Sequence, residues 1–275
     1  MSTFEWLTRP TLQDPLAVLA FSGWGDAGDS SSEAARFLVE EFETQTIGRF
    51  DSDSFFDFQV NRPVVSLDEA GVRSISWPTT EVLSIESSPR DLVVVIGAEP
   101  NYNWKKFVSE LCSVLRQLGV KQAISLGAFV GQVAHTSPVP VVGSSSSTRL
   151  IAEHGLMPSR YEGPTGIVGV LTQGLAQCDI DTMSLWAAVP YYLSNQSYPP
   201  GAEALVRKLT EVAQLSVNMR SLELNTAQFQ RQVDEALDES DELADYVREL
   251  EAEGIDPEHS GEELVDEIER YLRGL

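Results

Sequence analysis

The chain is short of cysteine, of basic residues and of long apolar runs, and each shortage removes a class of function. Its two cysteines, Cys112 and Cys178, form no C-x-x-C pair, so no metal-ligand spacing is present and no metal is expected. Set far apart in apolar or mixed surroundings, they read as two reduced, small buried residues. Nineteen Lys and Arg face 42 Asp and Glu, giving a formal net charge of −23. Nucleic acid and anionic membrane surfaces both need clustered cations, so neither is an expected partner. No apolar run approaches the ~20 residues of a membrane span. The first residues, Met1 to Trp6, lack the basic and apolar blocks of a signal peptide, and a cytoplasmic location is expected. There is no Walker lysine, no G-x-S-x-G elbow and no complete dinucleotide fingerprint, so no cofactor is expected.

What is present is an ordinary globular composition, 42% hydrophobic over 275 residues, enough for a substantial core. From Leu16 to Val189, short apolar runs alternate with helical or glycine-rich stretches. The strongest run, Leu92 to Ile96, is β-branched without polar alternation, as a parallel strand covered on both faces would be. Similar strands are expected at Leu16–Phe21, Gln122–Leu126 and Met183–Val189, with Thr46–Phe50 as a short β-like run. Val72–Trp77 alternates as a half-buried strand would. Asp51–Asp57 reads as an irregular loop, and Ile167–Leu171 as a strand or a closely packed glycine-bearing segment. Helices are expected over Glu33–Phe42, from Trp104 to a stop at Gly119, and from Ser147 to His154. The β-loop-α-β repetition predicts a three-layer α/β/α sandwich with a mixed, largely parallel sheet. Beyond Pro200 the apolar period becomes helical, and seventeen of the 42 acidic residues fall after Val233 against three Arg. Residues 1–200 are therefore read as the α/β/α core. Residues 201–275 are read as an acidic helical extension packed on the core or on a neighbouring subunit. Its last helix is expected to open at the capping box Ser260-Gly261-Glu262-Glu263.

The candidate functional residues gather where strands are expected to end. Ser22-Gly23-Trp24-Gly25-Asp26-Ala27-Gly28-Asp29 follows the first strand and leads into Ser30-Ser31-Ser32-Glu33, where Ser30 can cap a helix and Glu33 can reach back. Asp26 and Asp29 inside this turn would repel a pyrophosphate, so the glycines are read as turn formers and Asp26 as a bond to local amides. Glu99-Pro100-Asn101 stands at the carboxyl end of the strongest strand, where α/β enzymes place catalytic groups. Glu99 is thus a candidate base or ribose ligand, or else a cap or a bond to the glycine loop. His135 is a candidate acid, or a turn or interface residue. Arg149 and Arg160 are candidate anion ligands near the serine run and the Gly163-Pro164-Thr165-Gly166 turn.

Four segments taken in order resemble a known family: Phe21–Gly28, Ile96-Gly97-Ala98-Glu99-Pro100, Leu126-Gly127-Ala128-Phe129 with Pro138–Gly143, and Gly163 with Gly166 before Ile167. Together they are similar to the proteasome assembly chaperone 2 family in its longer actinobacterial form, over about Leu16 to Leu193. The resemblance implies a three-layer α/β/α domain similar in topology to purine nucleoside phosphorylases and related hydrolases. It implies homo- or hetero-oligomers and proteasome core subunits as partners; a homo-oligomer, such as a trimer, is expected here. Some such partners dock through a C-terminal hydrophobic-Tyr-any motif. Here Tyr271 stands too far from Leu275 for that motif. The expected function is an oligomeric interaction or assembly factor. The alternative is a nucleoside-like phosphorylase or hydrolase, with Glu99, His135 and Arg149 as base, acid and anion ligand and Asp26 nearby. The candidate ligand or interface set is Gly23, Trp24, Gly25, Asp26, Gly28, Glu99, Pro100, Asn101, Gly127, Arg149, Gly163 and Gly166.

Overall fold

Every residue from Leu16 to Phe21 is buried, although this stretch carries no polar alternation. The reason is that the sheet is covered on both faces. Leu16, Val18 and Ala20 enter one apolar core, whereas Ala17, Leu19 and Phe21 enter a second core on the opposite face. The computed structural model describes residues 2–68, 71–145, 148–238 and 241–253; at 148–150, 238, 241–243 and 253 it describes the backbone alone.

In chain order the strands are β1 (Phe4–Trp6), β2 (Leu16–Ser22), β3 (Thr44–Phe50), β4 (Val64–Leu67), β5 (Arg73–Ser76) and β6 (Thr80–Ile85). They continue with β7 (Leu92–Ala98), β8 (Gln122–Gly131), β9 (Val141–Ser145), β10 (Met157–Pro158) and β11 (Asp181–Pro190). Nine of them form one mixed sheet in the order β1-β3-β6-β7-β2-β8-β11-β9-β10. The centre, β7-β2-β8-β11, is parallel, with Leu16 opposite both Leu92 and Gln122, and Gln122 opposite Asp181. The next strand on either side, β6 and β9, is antiparallel to this centre.

The helices are α1 (Ser30–Glu41), α2 (Ser52–Phe55), α3 (Trp104–Gln117), α4 (Thr148–Glu153), α5 (Ile167–Ala176), α6 (Pro199–Ala213), α7 (Arg220–Asp238) and α8 (Asp241–Glu253). Helices α1, α6 and α7 cover one face of the sheet, and α3 and α5 cover the other, which makes the expected three-layer sandwich. On the α1 face, Leu205, Val206 and Leu209 of α6 are completely buried with Ala34, Ala35 and Leu38 of α1. Leu222 and Val233 of α7 join the same core. Val247 and Leu250 of α8 pack with Ala134 in a small separate cluster that also touches Tyr192 and Tyr246.

Several local expectations are corrected. Ile167–Leu171 is the start of helix α5, not a strand. A five-residue apolar run cannot separate a buried strand from a buried helix, and the partners decide. Asp51–Asp57 contains the one-turn helix α2, whose Phe55 is fully buried against Phe50 and Phe107. The alternating run Val72–Trp77 does hold a strand, β5, but every residue of it is exposed. Among the described residues it pairs only with β4, in a two-stranded hairpin separate from the main sheet. Finally, Cys112 and Cys178 are not reduced: they are disulfide-bonded, because α3 and α5 lie side by side on one face of the sheet. The capping box at Ser260 falls outside the described residues.

Candidate functional site

The carboxyl ends of β2, β7 and β8 lie side by side. Chain continuity leaves β2 toward one side of the sheet and returns to the other through α3, so these ends flank a topological switch point. The glycine loop after β2, the Glu99 turn after β7 and Gly127 in β8 meet there. The backbone N–H of Glu99 donates to the carbonyl of Ser22 at 2.8 Å, and that of Ala128 donates to Gly25 at 2.8 Å. Gly25 and Gly127 both leave room for the indole of Trp186 of β11: a Cβ would come within 3.3 Å of it at Gly25 and 2.5 Å at Gly127.

Asp26 is buried, with 6% of its surface exposed. Its Oδ1 accepts bonds from the backbone N–H of Ser31 at 2.7 Å, the Ser31 hydroxyl at 2.6 Å and the backbone N–H of Ser32 at 3.1 Å. These are amides at the start of α1, where the dipole favours an anion. The helix is therefore capped by Asp26, and the expected Ser30–Glu33 box is not used. Glu33 pairs with Arg36 instead, at 2.9 Å. Gly28 follows at φ +56, and a Cβ there would come within 2.7 Å of Tyr198 Cβ, so the loop is laid directly on the start of α6.

Glu99 also meets a helix start, but not that of the helix following it. Its Oε1 accepts a 2.7 Å bond from the backbone N–H of Ile167, the first residue of α5. The approach is close because Gly166 carries no side chain. A Cβ there would lie 2.8 Å from Glu99 Oε1 and 3.1 Å from the Trp24 ring. Pro100 accepts a bond through its carbonyl from the indole N–H of Trp104. Asn101 Oδ1 accepts from the backbone of Asp57 and from Asn61 Nδ2, each at 2.8 Å, fastening the loop after α2 to the β7 turn. Tyr102 donates its hydroxyl to Asp57 at 2.6 Å, which holds that carboxyl below its ordinary range.

His135 lies after β8 and is buried, but it joins a different group. The Tyr192 hydroxyl accepts the backbone N–H of His135 at 2.9 Å and lies 2.7 Å from its Nδ1. The other ring nitrogen of His135, Nε2, lies 3.4 Å from Asp234 Oδ1 of α7. Burial pushes the Tyr192 hydroxyl up to about 12. Beside it, Thr136 donates to Glu251 of α8 at 2.5 Å. Asp26, Glu99 and His135 thus share no hydrogen-bond partner with one another. Gly163 lies against the Tyr161 ring, whose hydroxyl donates to Pro164 at 2.9 Å. Arg149 falls in α4, and its side chain lies outside the described residues.

Between the strand ends is a shallow depression lined by Phe21, Gly25, Glu99, Gly166, Ile167, Val168 and Trp186. Its walls approach too closely to admit a water molecule. Around these strand ends stand exposed aromatic side chains, termed the rim: Trp24, beside Gly166, is 62% exposed, Tyr161, beside Gly163, 60%, and Tyr102, three residues after Glu99, 49%. Trp186, Tyr192 and the reach of Glu99 to α5 escape sequence reasoning, because each depends on segments brought together by the sheet. The one available signal was the indole of Trp186 within an otherwise small and aliphatic strand.

A family model matches residues 20–237, from within β2 to within α7, under the description PAC2 family. The chain belongs to the PAC2 family. Among solved structures, this PAC2 chain is similar to a PAC2 family protein from Streptomyces avermitilis, at 39% identity and a TM-score of 0.80, over 85% of this chain and 100% of that one. It is similar to the Mycobacterium tuberculosis proteasome-assembly chaperone homologue Rv2125, at 36% identity and a TM-score of 0.78, over 84% and 99% of the two chains. Pyrococcus furiosus PbaB, an archaeal proteasome activator, shares the fold at 17% identity and a TM-score of 0.69, over 85% and 98%. No curated protein matches. The matched span of this PAC2 protein contains both helix-capping carboxylates, the aromatic rim and His135 with its partners.

Proposed function

We propose that this PAC2 protein is a cytoplasmic protein-interaction factor that works in proteasome assembly and acts as a homo-oligomer. The observation that carries the reading is the division of labour at the strand ends. The two carboxylates that could do chemistry there cap α1 and α5, while the aromatic side chains beside them face solvent. Exposed Trp and Tyr over a tightly packed base is the composition of a protein interface, and an enzyme pocket would need open, convergent polar groups instead. The likeness to a proteasome-assembly chaperone homologue supports core-particle subunits as the partner. Self-association is supported by the β4–β5 hairpin. Val64, Val65, Leu67, Val72 and Ile75 are each more than half exposed on it, and an isolated two-stranded hairpin is marginal in water without a covering surface. In this reading α6 is part of the core, with Leu205, Val206 and Leu209 completely buried, and the acidic outer faces of α7 and α8 serve for further contacts.

The test is cross-linking and affinity capture with the cell's own proteasome core and its unassembled subunits, alongside light scattering for the oligomeric state. Association that weakens in Trp24→Ala supports the reading. A folded, abundant protein that captures no core subunit overturns it.

A further inference from the structure

Cys112 and Cys178 are the chain's two cysteines, and they are bonded to each other across 66 positions with their Cα atoms 6.4 Å apart. Cys112 lies on the buried side of α3. Cys178 lies half-buried in the turn that ends α5, its N–H donating to Leu175. One turn earlier the two helices are close enough that the Val108 side chain of α3 fills the space at Gly174: a Cβ there would come within 2.3 Å of it. The sulfur bridge closes this contact at its carboxyl end. At its amino end, α5 receives the Glu99 carboxylate and carries Gly166 against Trp24. This ten-residue helix is therefore clamped at both ends, by a charge-assisted hydrogen bond at one and by a covalent bond at the other.

We infer that Cys112–Cys178 is a redox-responsive staple whose state sets the firmness of α5 and, through Ile167 and Gly166, of the Trp24 rim. A protein with a nine-stranded sheet and two large cores has no need of a disulfide to fold. In the reducing compartment proposed above, a bond of this kind serves as a sensor. Half-burial leaves Cys178 within reach of a small thiol or disulfide, while Cys112 stays inside. Oxidation proceeds by thiol–disulfide exchange with a low-molecular-weight disulfide. The Cys178 thiolate attacks one sulfur of that disulfide and releases one small thiolate. The Cys112 thiolate then attacks Cys178 Sγ and releases the second. The two protons lost by the protein thiols end on the two small thiols, so the protein dithiol is oxidised by two electrons and one small disulfide is reduced. Excess small thiol reverses both steps.

The experiment equilibrates the full chain in graded ratios of reduced to oxidised glutathione. Free thiols are trapped by alkylation, the Cys112 and Cys178 peptides are weighed, and amide exchange is followed over 167–176. The expected result is an interconversion of dithiol and disulfide within the series. In the reduced form, the amides of 167–171 should exchange about tenfold faster or more, consistent with local opening of a loosened helix. Cys112→Ser and Cys178→Ser should exchange like reduced wild type at every ratio; if either fails to fold, the wild-type series alone decides. A pair that stays dithiol throughout, stays oxidised throughout, or interconverts with no change over 167–171 overturns the inference. No protein partner enters these measurements, so they stand apart from the capture experiment.

Discussion

Glu99 ends β7 and accepts a 2.7 Å hydrogen bond from the backbone N–H of Ile167, 68 residues later in the chain. A carboxylate in the position expected of a catalytic base thus caps the helix that forms one wall of the strand-end depression. Glu99→Ala removes an acceptor from a helix start and leaves an amide unpaired, at a cost of about 1–2 kcal/mol. Glu99→Gln keeps a carbonyl acceptor and loses only the charge, so it should cost less than half as much. Urea unfolding followed by circular dichroism measures both. Equal losses in the two variants would show that the contact with Ile167 does not depend on the acceptor.

The contrast between the rim and its base gives a second expectation. Trp24 and Tyr161 are more than half exposed, and large exposed side chains contribute little to folding. Trp24→Ala and Tyr161→Ala should therefore change stability by less than about 1 kcal/mol. The same truncations at an interface centre weaken binding by about 2 kcal/mol or more, some thirtyfold. Capture of proteasome core subunits by each variant, normalised to folded protein, reads the difference. Loss of stability together with capture would place these aromatics in the fold and not at the interface.

How much of this was legible beforehand follows from the range of the forces involved. Leu16–Phe21 and Leu92–Ile96 announce themselves because strands covered on both faces must be apolar at every position. Asp26 as a bond to local amides was equally legible, since its partners Ser31 and Ser32 are five and six residues away. Glu99 was placed correctly at a strand end, yet its partner could not be named, because nothing in the sequence links residue 99 to residue 167. The Val72–Trp77 alternation implied one buried face, but burial belongs to the neighbour, and β5 has only β4. The same limit hid the disulfide: Cys112 and Cys178 meet only once β7, β2 and β8 have laid α3 beside α5.

The cluster around Tyr192, which joins α7 and α8 to the segment after β8, should reveal itself at high pH. Burial raises the Tyr192 hydroxyl to about 12, against about 10 in an unfolded chain. Below pH 10 both states hold the proton and the full contribution is present. Between pH 10 and 12 the unfolded chain gives up its proton while the folded one keeps it, so stability falls as pH rises. A shift of this size would correspond to about 2.7 kcal/mol for a fully enclosed group. Tyr192 is only partly enclosed, and solvent screening reduces the expectation to about 1 kcal/mol. Tyr192→Phe should flatten this alkaline limb in urea titrations run from pH 8 to 12. It should also lower stability at pH 8 by about 1–2 kcal/mol, because the His135 amide then lacks its acceptor.

The enzyme alternative makes a prediction of its own, which separates it from the assembly reading. A nucleoside or phosphate site at the strand ends needs room and free polar groups. Here the depression admits no water, and Glu99 Oε1 and Asp26 Oδ1 are held by the amides of α5 and α1, while Asp26 Oδ2, which has no hydrogen-bond partner, is itself buried. A ligand present at a hundred times its dissociation constant stabilises the folded state by about 2.7 kcal/mol. For a chain of this length that raises the melting temperature by roughly 5 °C. Thermal unfolding in millimolar inosine, adenosine, adenine nucleotides and inorganic phosphate should stay within 1 °C of the free protein. A reproducible rise of several degrees with any of them, lost in Glu99→Gln, would require the depression to open and the carboxylate to leave α5. Glu99 would then have to be reassigned from helix cap to ligand-binding group.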